Sequence, residues 1–455
     1  MKKPLLRGIL RIAAFCLCLL LFLIAADFLL VQTDSITAIT ITEMKQRDDI
    51  QLAVVGSSVV RDHFNEALIT EETGMESFSV AVAGSGFQTF TAMTEELYKT
   101  SSPEIVALVI EPYNFDTARE DPMPSYKTMP WLTGIGTRLR YYISNTRTDG
   151  YWIDRALIFR DFGAESFADI KKTISFHLDP YGTFAAYQDT LKAEHAEYMG
   201  AGFLRHNVAA DLSTVIRQQM LGEPDGGYDY PLLEESKEMM LAFRDLVVSH
   251  GSRLLVIISD NHTSHALAEP DYLRYIDHVE DFCAENGMEC YNLFYAKEEL
   301  LPNLDNTFYD LYHMTGEGAD QESHAFARII NAVRAGEDIS GWFYHRNWEY
   351  KETVTWIVNT WVHPKKKGTF TAGCNTGSMV HPEYRFVLLD ADGNETLLRD
   401  YEGGKDGAVI KNVTLPENTN LRVYARLQEH PEQEPVWFDY PDDYGYAAAH
   451  QDLYR

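Results

Sequence analysis

Residues 51–58 read QLAVVGSS. The short apolar run 52–55, closed by Gly56, Ser57 and Ser58, predicts a strand buried on both faces that leaves its sheet through a tight turn. Outward along the chain the pattern returns in FSVAVAG at 78–84, IVALVIEP at 105–112, RLLVIIS at 253–259 and CYNLF at 290–294. Helical spacing fills 60–72, 90–99, 232–250 and 272–286, and a last helix is predicted over 316–335. Strands and helices that alternate, with strands too apolar to show a wet face, predict a three-layer α/β/α parallel sheet.

The rhythm breaks between 121 and 231, a stretch rich in Tyr, Trp, Arg and Asp with helix-like pieces at 167–174 and 208–220. An insertion after the third strand emerges at the carboxyl end of the sheet, where open α/β folds bind ligands. It reads either as a substrate-shaping lid or as an irregular surface extension. After about 336 the composition turns to β type. Asp392-Gly393 parts two strand-like runs, and Leu421, Val423, Ala425 and Leu427 alternate with Arg422, Tyr424 and Arg426. These features predict a C-terminal all-β, sandwich-like domain over 341–440, followed by a polar tail at 441–455. Trp342, Phe343, Tyr344, Trp348, Tyr350, Trp356 and Trp361 open that domain, as core or as a sugar-stacking face.

At the other end, Lys2, Lys3, Arg7 and Arg11 precede an apolar run over 12–31 that only Asp27 interrupts. Such a run spans roughly 30 Å of hydrocarbon at about 1.5 Å per residue. The basic flank predicts a single-pass anchor within 1–33 and an extracytoplasmic body whose α/β domain covers 46–335. A cleaved signal peptide is the rival reading; the length of the run and the poor cleavage site at Ile24-Ala25-Ala26 speak against it. Of the 455 residues 45% are hydrophobic and 24% charged, which excludes a disordered chain. A formal charge of −29 repels phosphate backbones and excludes nucleic acid as a general partner. The five cysteines are too few for a disulfide scaffold, and Cys283 and Cys290 are either bridged or free.

Nucleophilic acyl chemistry needs a hydroxyl, a base, a group that orients the base and donors for the oxyanion. Ser58 follows a buried strand at the turn into a helix, where its hydroxyl is exposed unless it serves only as a helix cap. Far down the chain, Asp310-Leu311-Tyr312-His313 places a carboxylate and an imidazole on one turn just before the last helix. Gly84 ends the second strand, where its N–H can approach a reacting carbonyl, and Asn114 follows the third strand with an amide donor. Taken singly, each is also an ordinary turn residue; their joint placement at strand ends carries the reading. Asp260, His262 and His265 in ISDNHTSH are the one candidate metal cluster, but a polar loop after a strand is the preferred reading.

At these positions the chain resembles the SGNH/GDSL hydrolase family. Gly56-Ser57-Ser58-Val59 matches the first block, with Ser58 at the nucleophile and Ser57 in place of the usual Asp. AVAGSG matches the second through Gly84, and IEPYNFD the third through Asn114, with Pro112 where the family usually has glycine. Tyr309 to His313, followed by Thr315, Gly316 and Gly318, matches the last block. The resemblance covers roughly 48–334 and leaves the C-terminal domain aside. It implies an SGNH-like fold with Ser58, Asp310 and His313 catalytic, Gly84 and Asn114 at the oxyanion, and no cofactor. The Gly-Ser-Ser variant, the anchor and the external body look like the DltD-like and alginate-acetylation-like subset, which works beside a membrane-bound O-acyltransferase.

The expected function is therefore a membrane-anchored, extracytoplasmic serine O-acyl esterase or acyltransferase. Its substrate would be an acylated cell-envelope polysaccharide or a teichoic-acid-like polymer. A non-catalytic envelope glycan-binding or assembly protein on the same scaffold is the alternative. A metal-dependent phosphoesterase is a third reading.

Overall fold

The computed structural model describes residues 3–115, 122–149, 163–209, 231–263, 266, 272–346, 349–350, 359–364, 369–375, 381–416, 419–432 and 435–440. Its centre is a parallel sheet of β1 (Leu52–Gly56), β2 (Ser77–Ala81), β3 (Ile105–Ile110), β6 (Arg253–Ile258) and β7 (Glu289–Asn292), in the order β2-β1-β3-β6-β7. β4 (Ala196–Gly200) and β5 (Phe203–His206) form a separate hairpin in the insertion. Every residue of β1, β2 and β3 is buried, because each strand feeds two cores. Ala53, Val55, Val106 and Leu108 pack with the helices Phe87–Leu97, Glu234–Ser249 and Tyr272–Glu285. Leu52, Val54, Ala107 and Val109 pack on the other face with Ser58–His63, Glu66–Thr73 and Gly316–Ala335. β1 lies between β2 and β3, so connections leave it in opposite directions and open a crevice at its carboxyl end.

Several sequence expectations need correction. The helix expected over 60–72 is two helices, broken at Phe64 and Asn65. Asn65 N–H donates to Ser323 Oγ at 2.7 Å and its amide to Asp320 Oδ1 at 2.7 Å, so the last helix sets the break. The α/β body begins before 46: helix Ser35–Gln46 sends Ile41 and Met44 into the main core and Ile36, Ala38 and Ile39 into a core shared with the insertion. Its sequence, SITAITITEMKQ, is rich in β-branched residues of modest helix propensity, which hides it. The body also extends past 341. Trp342, Phe343, Tyr344 and Tyr350, expected in the β-domain, pack on the α/β cores, and Tyr344 N–H donates to the Tyr295 carbonyl at 2.8 Å. Trp348 and Trp356 lie outside the described residues, and Trp361 falls on β8 (Asn359–Pro364).

Beyond the body stand two antiparallel sheets. One is β8 with β9 (Phe370–Asn375) and β12 (Val409–Val413), in the order β12-β9-β8. The other contains β10 (Pro382–Leu389), β11 (Glu395–Gly403), β13 (Asn420–Leu427) and β14 (Val436–Tyr440), in the order β11-β10-β13-β14. Ala372 and Cys374 of the first meet Phe386, Leu421 and Val423 of the second in a common core. The expected hairpin turns at Asp390–Asn394, where Gly393 takes φ 83°. The tail at 441–455 lies outside the described residues.

The N-terminal helix Lys3–Leu30 contains an apolar stretch, Arg7–Leu30, long enough to cross a membrane; a signal sequence passes the same test. The insertion contributes helices Pro122–Thr128, Ile135–Asp149, Phe167–Leu178 and Pro180–Ala193 and the β4–β5 hairpin. The helix-like piece at 208–220 lies outside the described residues from 210 onward.

Candidate active site

Gly56 brings β1 to the sheet edge with no space for a side chain. A Cβ there would stand 2.5 Å from Val60 Cγ2 and 2.9 Å from the Val109 carbonyl oxygen. The chain then turns straight into helix Ser58–His63, with Ser57 as its N-cap. Ser57 Oγ accepts from Val59 N–H at 3.3 Å and donates to Glu111 Oε2 at 2.8 Å. Because Ser57 does the capping, Ser58 is free for another partner, and its Oγ lies 2.7 Å from His313 Nε2.

His313 Nδ1 faces Asp310, 2.8 Å from Oδ2 and 2.9 Å from Oδ1. The carboxylate is fixed in turn by the Tyr312 and His313 N–H groups, at 2.8 and 2.9 Å from Oδ1. Burial alone would raise the Asp310 pKa, but its hydrogen bonds to His313 and to these amides leave it below the usual carboxylate value. An ionised Asp310 only accepts, so Nδ1 carries the hydrogen and Nε2 is left to accept from the Ser58 hydroxyl. Ser58, His313 and Asp310 therefore meet in the order that proton transfer from a serine requires.

The two expected oxyanion residues lie in the turns beyond the neighbouring strands: Gly84, expected to end the second strand, stands three residues past β2, and Asn114 stands in the 3₁₀ turn after β3. Gly84 takes φ 73°, a conformation other residues rarely adopt. The adjacent Ser85 donates from Oγ to the Gly56 carbonyl at 3.4 Å, and Val82 N–H reaches the same oxygen at 3.3 Å, so this turn is tied to the one bearing Ser58. Buried Asn114 accepts from Glu111 N–H at 2.9 Å through Oδ1, which leaves its amide nitrogen as donor. Ser57, Glu111 and Asn114 thus form a chain of hydrogen bonds along the crevice, and Pro112 fits because it opens a 3₁₀ turn over Pro112–Phe115.

A second layer of charge surrounds the histidine. Asp62 is fully buried, paired with Arg61 through Nε at 2.7 Å and Nη2 at 2.8 Å, and accepts from the Tyr309 hydroxyl at 3.0 Å. Its Oδ2 lies 3.9 Å from His313 Nε2. Burial would lower the His313 pKa, but the Asp310 hydrogen bond and the charges of Asp62 and Asp310 outweigh it, and the pKa ends above 6.5. His206, at the end of β5, stacks on Tyr309 with centroids 3.7 Å apart, so the insertion supplies part of the rim. Its hairpin is locked there by Arg205, which makes 3.0 Å bonds to both oxygens of Asp320.

Sequence reasoning passed over Arg61, Asp62, Glu111 and His206. The first two carried a readable signal, a run of charged residues on a helix whose neighbours Val59, Val60 and Phe64 are core. In ISDNHTSH, His262 Nδ1 lies 3.7 Å from Asp305, while burial and the nearby Glu322 and Asp305 raise the Asp260 pKa. His265 lies outside the described residues, among which no cluster of three His, Cys, Asp or Glu side chains is arranged for a metal ion. Cys283 and Cys290 are unbridged.

No family model matches the chain, and no curated protein does. Among solved structures the chain is similar to a modular endo-β-1,4-mannanase from Cellulomonas fimi, at 9% identity over 90% of this chain and 97% of that one. The TM-score is 0.15, too low to carry an argument.

Proposed function

We propose that this protein is a serine O-acyl esterase or acyltransferase of the SGNH/GDSL type, held to the membrane by its N-terminal helix with the body on the extracytoplasmic side. The substrate would be an acylated cell-envelope polysaccharide or teichoic-acid-like polymer, handled beside a membrane-bound O-acyltransferase. The observation that carries the reading is the unbroken line from Ser58 Oγ to His313 Nε2 at 2.7 Å and from Nδ1 to Asp310 at 2.8 Å.

In this mechanism Ser58 Oγ attacks the acyl carbonyl as His313 Nε2 takes its proton, and Asp310 stabilises the imidazolium. Gly84 N–H, the Asn114 amide and the Ser58 N–H receive the oxyanion. His313 then returns the proton to the departing alcohol, leaving an acyl group on Ser58. Water or a glycan hydroxyl, deprotonated by His313, completes hydrolysis or transfer. A fluorophosphonate probe tests the assignment: it should label Ser58 in the wild type and nothing in Ser58→Ala. Absence of labelling in folded wild-type protein would instead favour a binding or assembly role.

A further inference from the structure

We infer that helix Phe167–Leu178 of the insertion is an interfacial helix that seats its outer face in the extracytoplasmic leaflet of a phospholipid bilayer. The inference rests on the reading of Arg7–Leu30 as a membrane anchor. Phe167, Lys171, Ile174 and Leu178 recur at the spacing of a single helix face, and both Phe167 and Leu178 are 81% exposed. The inward side of this helix is occupied: Thr173 and Phe176 are buried, and Phe176 belongs to the insertion's core. Phe167 and Leu178 are the most exposed large apolar side chains among the described residues, above those of the membrane helix itself.

The membrane helix supplies the occupant of that face. Leu30 accepts from Ala164 N–H at 2.6 Å, Thr173 Oγ1 donates to the Val31 carbonyl at 3.1 Å, and Thr33 donates to Thr173 at 3.1 Å. One turn deeper, Phe28 stacks on His177 with centroids 4.0 Å apart, and Trp131 stacks on the same imidazole at 4.6 Å. Ala164, Thr173 and His177 therefore all meet the short stretch 28–33 of the exiting chain. These contacts fall at the last residues of the membrane helix and the first ones beyond it, so the insertion helix meets the chain where it leaves the apolar stretch. Phe28 lies two residues before the end of the apolar stretch, so on the anchor reading its partner His177 would stand where hydrocarbon gives way to headgroups. Phe167 and Leu178 enter the acyl boundary on either side, and Lys171 between them extends its ammonium to lipid phosphate.

This seat is built into the same insertion that reaches the candidate site. The next helix, Pro180–Ala193, packs Phe184 on Tyr198 of β4 at 5.1 Å, and β5 ends in His206 against Tyr309. The bilayer would thus fix the height of the His206 rim above the leaflet.

The test uses the full-length protein in phosphatidylglycerol–phosphatidylcholine nanodiscs, with and without lipids brominated on the acyl chain. Phe167→Trp and Leu178→Trp should each add emission that brominated lipid largely quenches, whereas Leu397→Trp on β11, 52% exposed, should keep its emission. Phe15→Trp inside the anchor reports separately on the anchor. Quenching at Phe15→Trp with none at either insertion position overturns the interfacial helix and leaves the anchor standing. No quenching at any of the three removes both.

Discussion

Among the described residues two clusters of serine, histidine and carboxylate meet on one short helix, and they use their imidazoles differently. At the start of helix Ser58–His63, Ser58 engages Nε2 of His313 while Asp310 engages Nδ1, so the two ring nitrogens have separate partners. At its end, His63 uses a single nitrogen, Nδ1, for both Ser259 Oγ at 3.0 Å and Glu322 Oε2 at 2.9 Å. Ser259 gives its proton to Glu322 Oε1 at 2.6 Å, not to the imidazole. The other nitrogen of His63 is consumed by backbone, 3.0 Å from the Tyr312 carbonyl and 3.2 Å from Met314 N–H. His63 and Glu322 are both fully buried, whereas the Asp310 side chain is 44% exposed. Residue types therefore do not define a catalytic serine; distinct nitrogens and solvent access do. The inner cluster instead grips the two residues flanking His313 from the helix that carries Ser58.

The sharpest break of this contrast is kinetic. Ser58→Ala or His313→Ala should lower acyl turnover by about 10⁴-fold or more, and the double variant should be hardly worse than either, because the residues act as a unit. Steady-state rates on a small activated ester measure this, and wild-type activity in His313→Ala would refute the assignment. Glu322→Ala strikes the other cluster and should act on stability. It strips the acceptor from His63, Ser259 and Asp260 N–H, and losing one partner of a buried network costs about 3–5 kcal/mol. Urea unfolding would show it, and an unchanged midpoint would mean the cluster is dispensable. Asn114→Ala, which removes one proposed oxyanion donor, should cost about 10²–10³-fold in kcat with the fold intact. Ser57→Ala, which loses a cap and a bond to Glu111, should cost less than Asn114→Ala in the same assay.

The outer cluster was legible in the sequence and the inner one was not, for a physical reason. Ser58, Gly84, Asn114, Asp310 and His313 sit where strands end or just before the last helix, and strand ends are announced by apolar runs closing on glycine, serine or asparagine. Glu322 lies within a long helix whose pattern is that of any amphipathic helix, and only the approach of His63 explains a carboxylate on its buried side. The sheet was readable for the same reason as the site, since runs such as LAVVG and IVALVI are too apolar for a wet face. Helix Ser35–Gln46 and the return of Phe343 and Tyr350 to the body were hidden because tertiary packing, not local pattern, decides them.

The smallest expected effect is the most specific to this chain. Asp62 carries no proton in the proposed reaction, yet its carboxylate lies 3.9 Å from His313 Nε2 and adds to Asp310 in holding the imidazole pKa above 6.5. Burial would raise the Asp62 pKa, but the Arg61 pair keeps it below the ordinary carboxylate range, so its charge persists through neutral pH. A base must be neutral to accept a proton, and a raised pKa therefore moves the acid limb of kcat/KM to higher pH. Asp62→Asn removes the negative charge and keeps the shape. His313 then loses one source of stabilisation for its charged form, and the acid limb should move to lower pH, so that the variant gains relative activity on the acidic side. Removing a carboxylate that merely braces Arg61 would lower activity by the same factor at every pH. A pH profile of kcat/KM separates the two outcomes, and an unmoved acid limb would show that Asp62 does not tune the base.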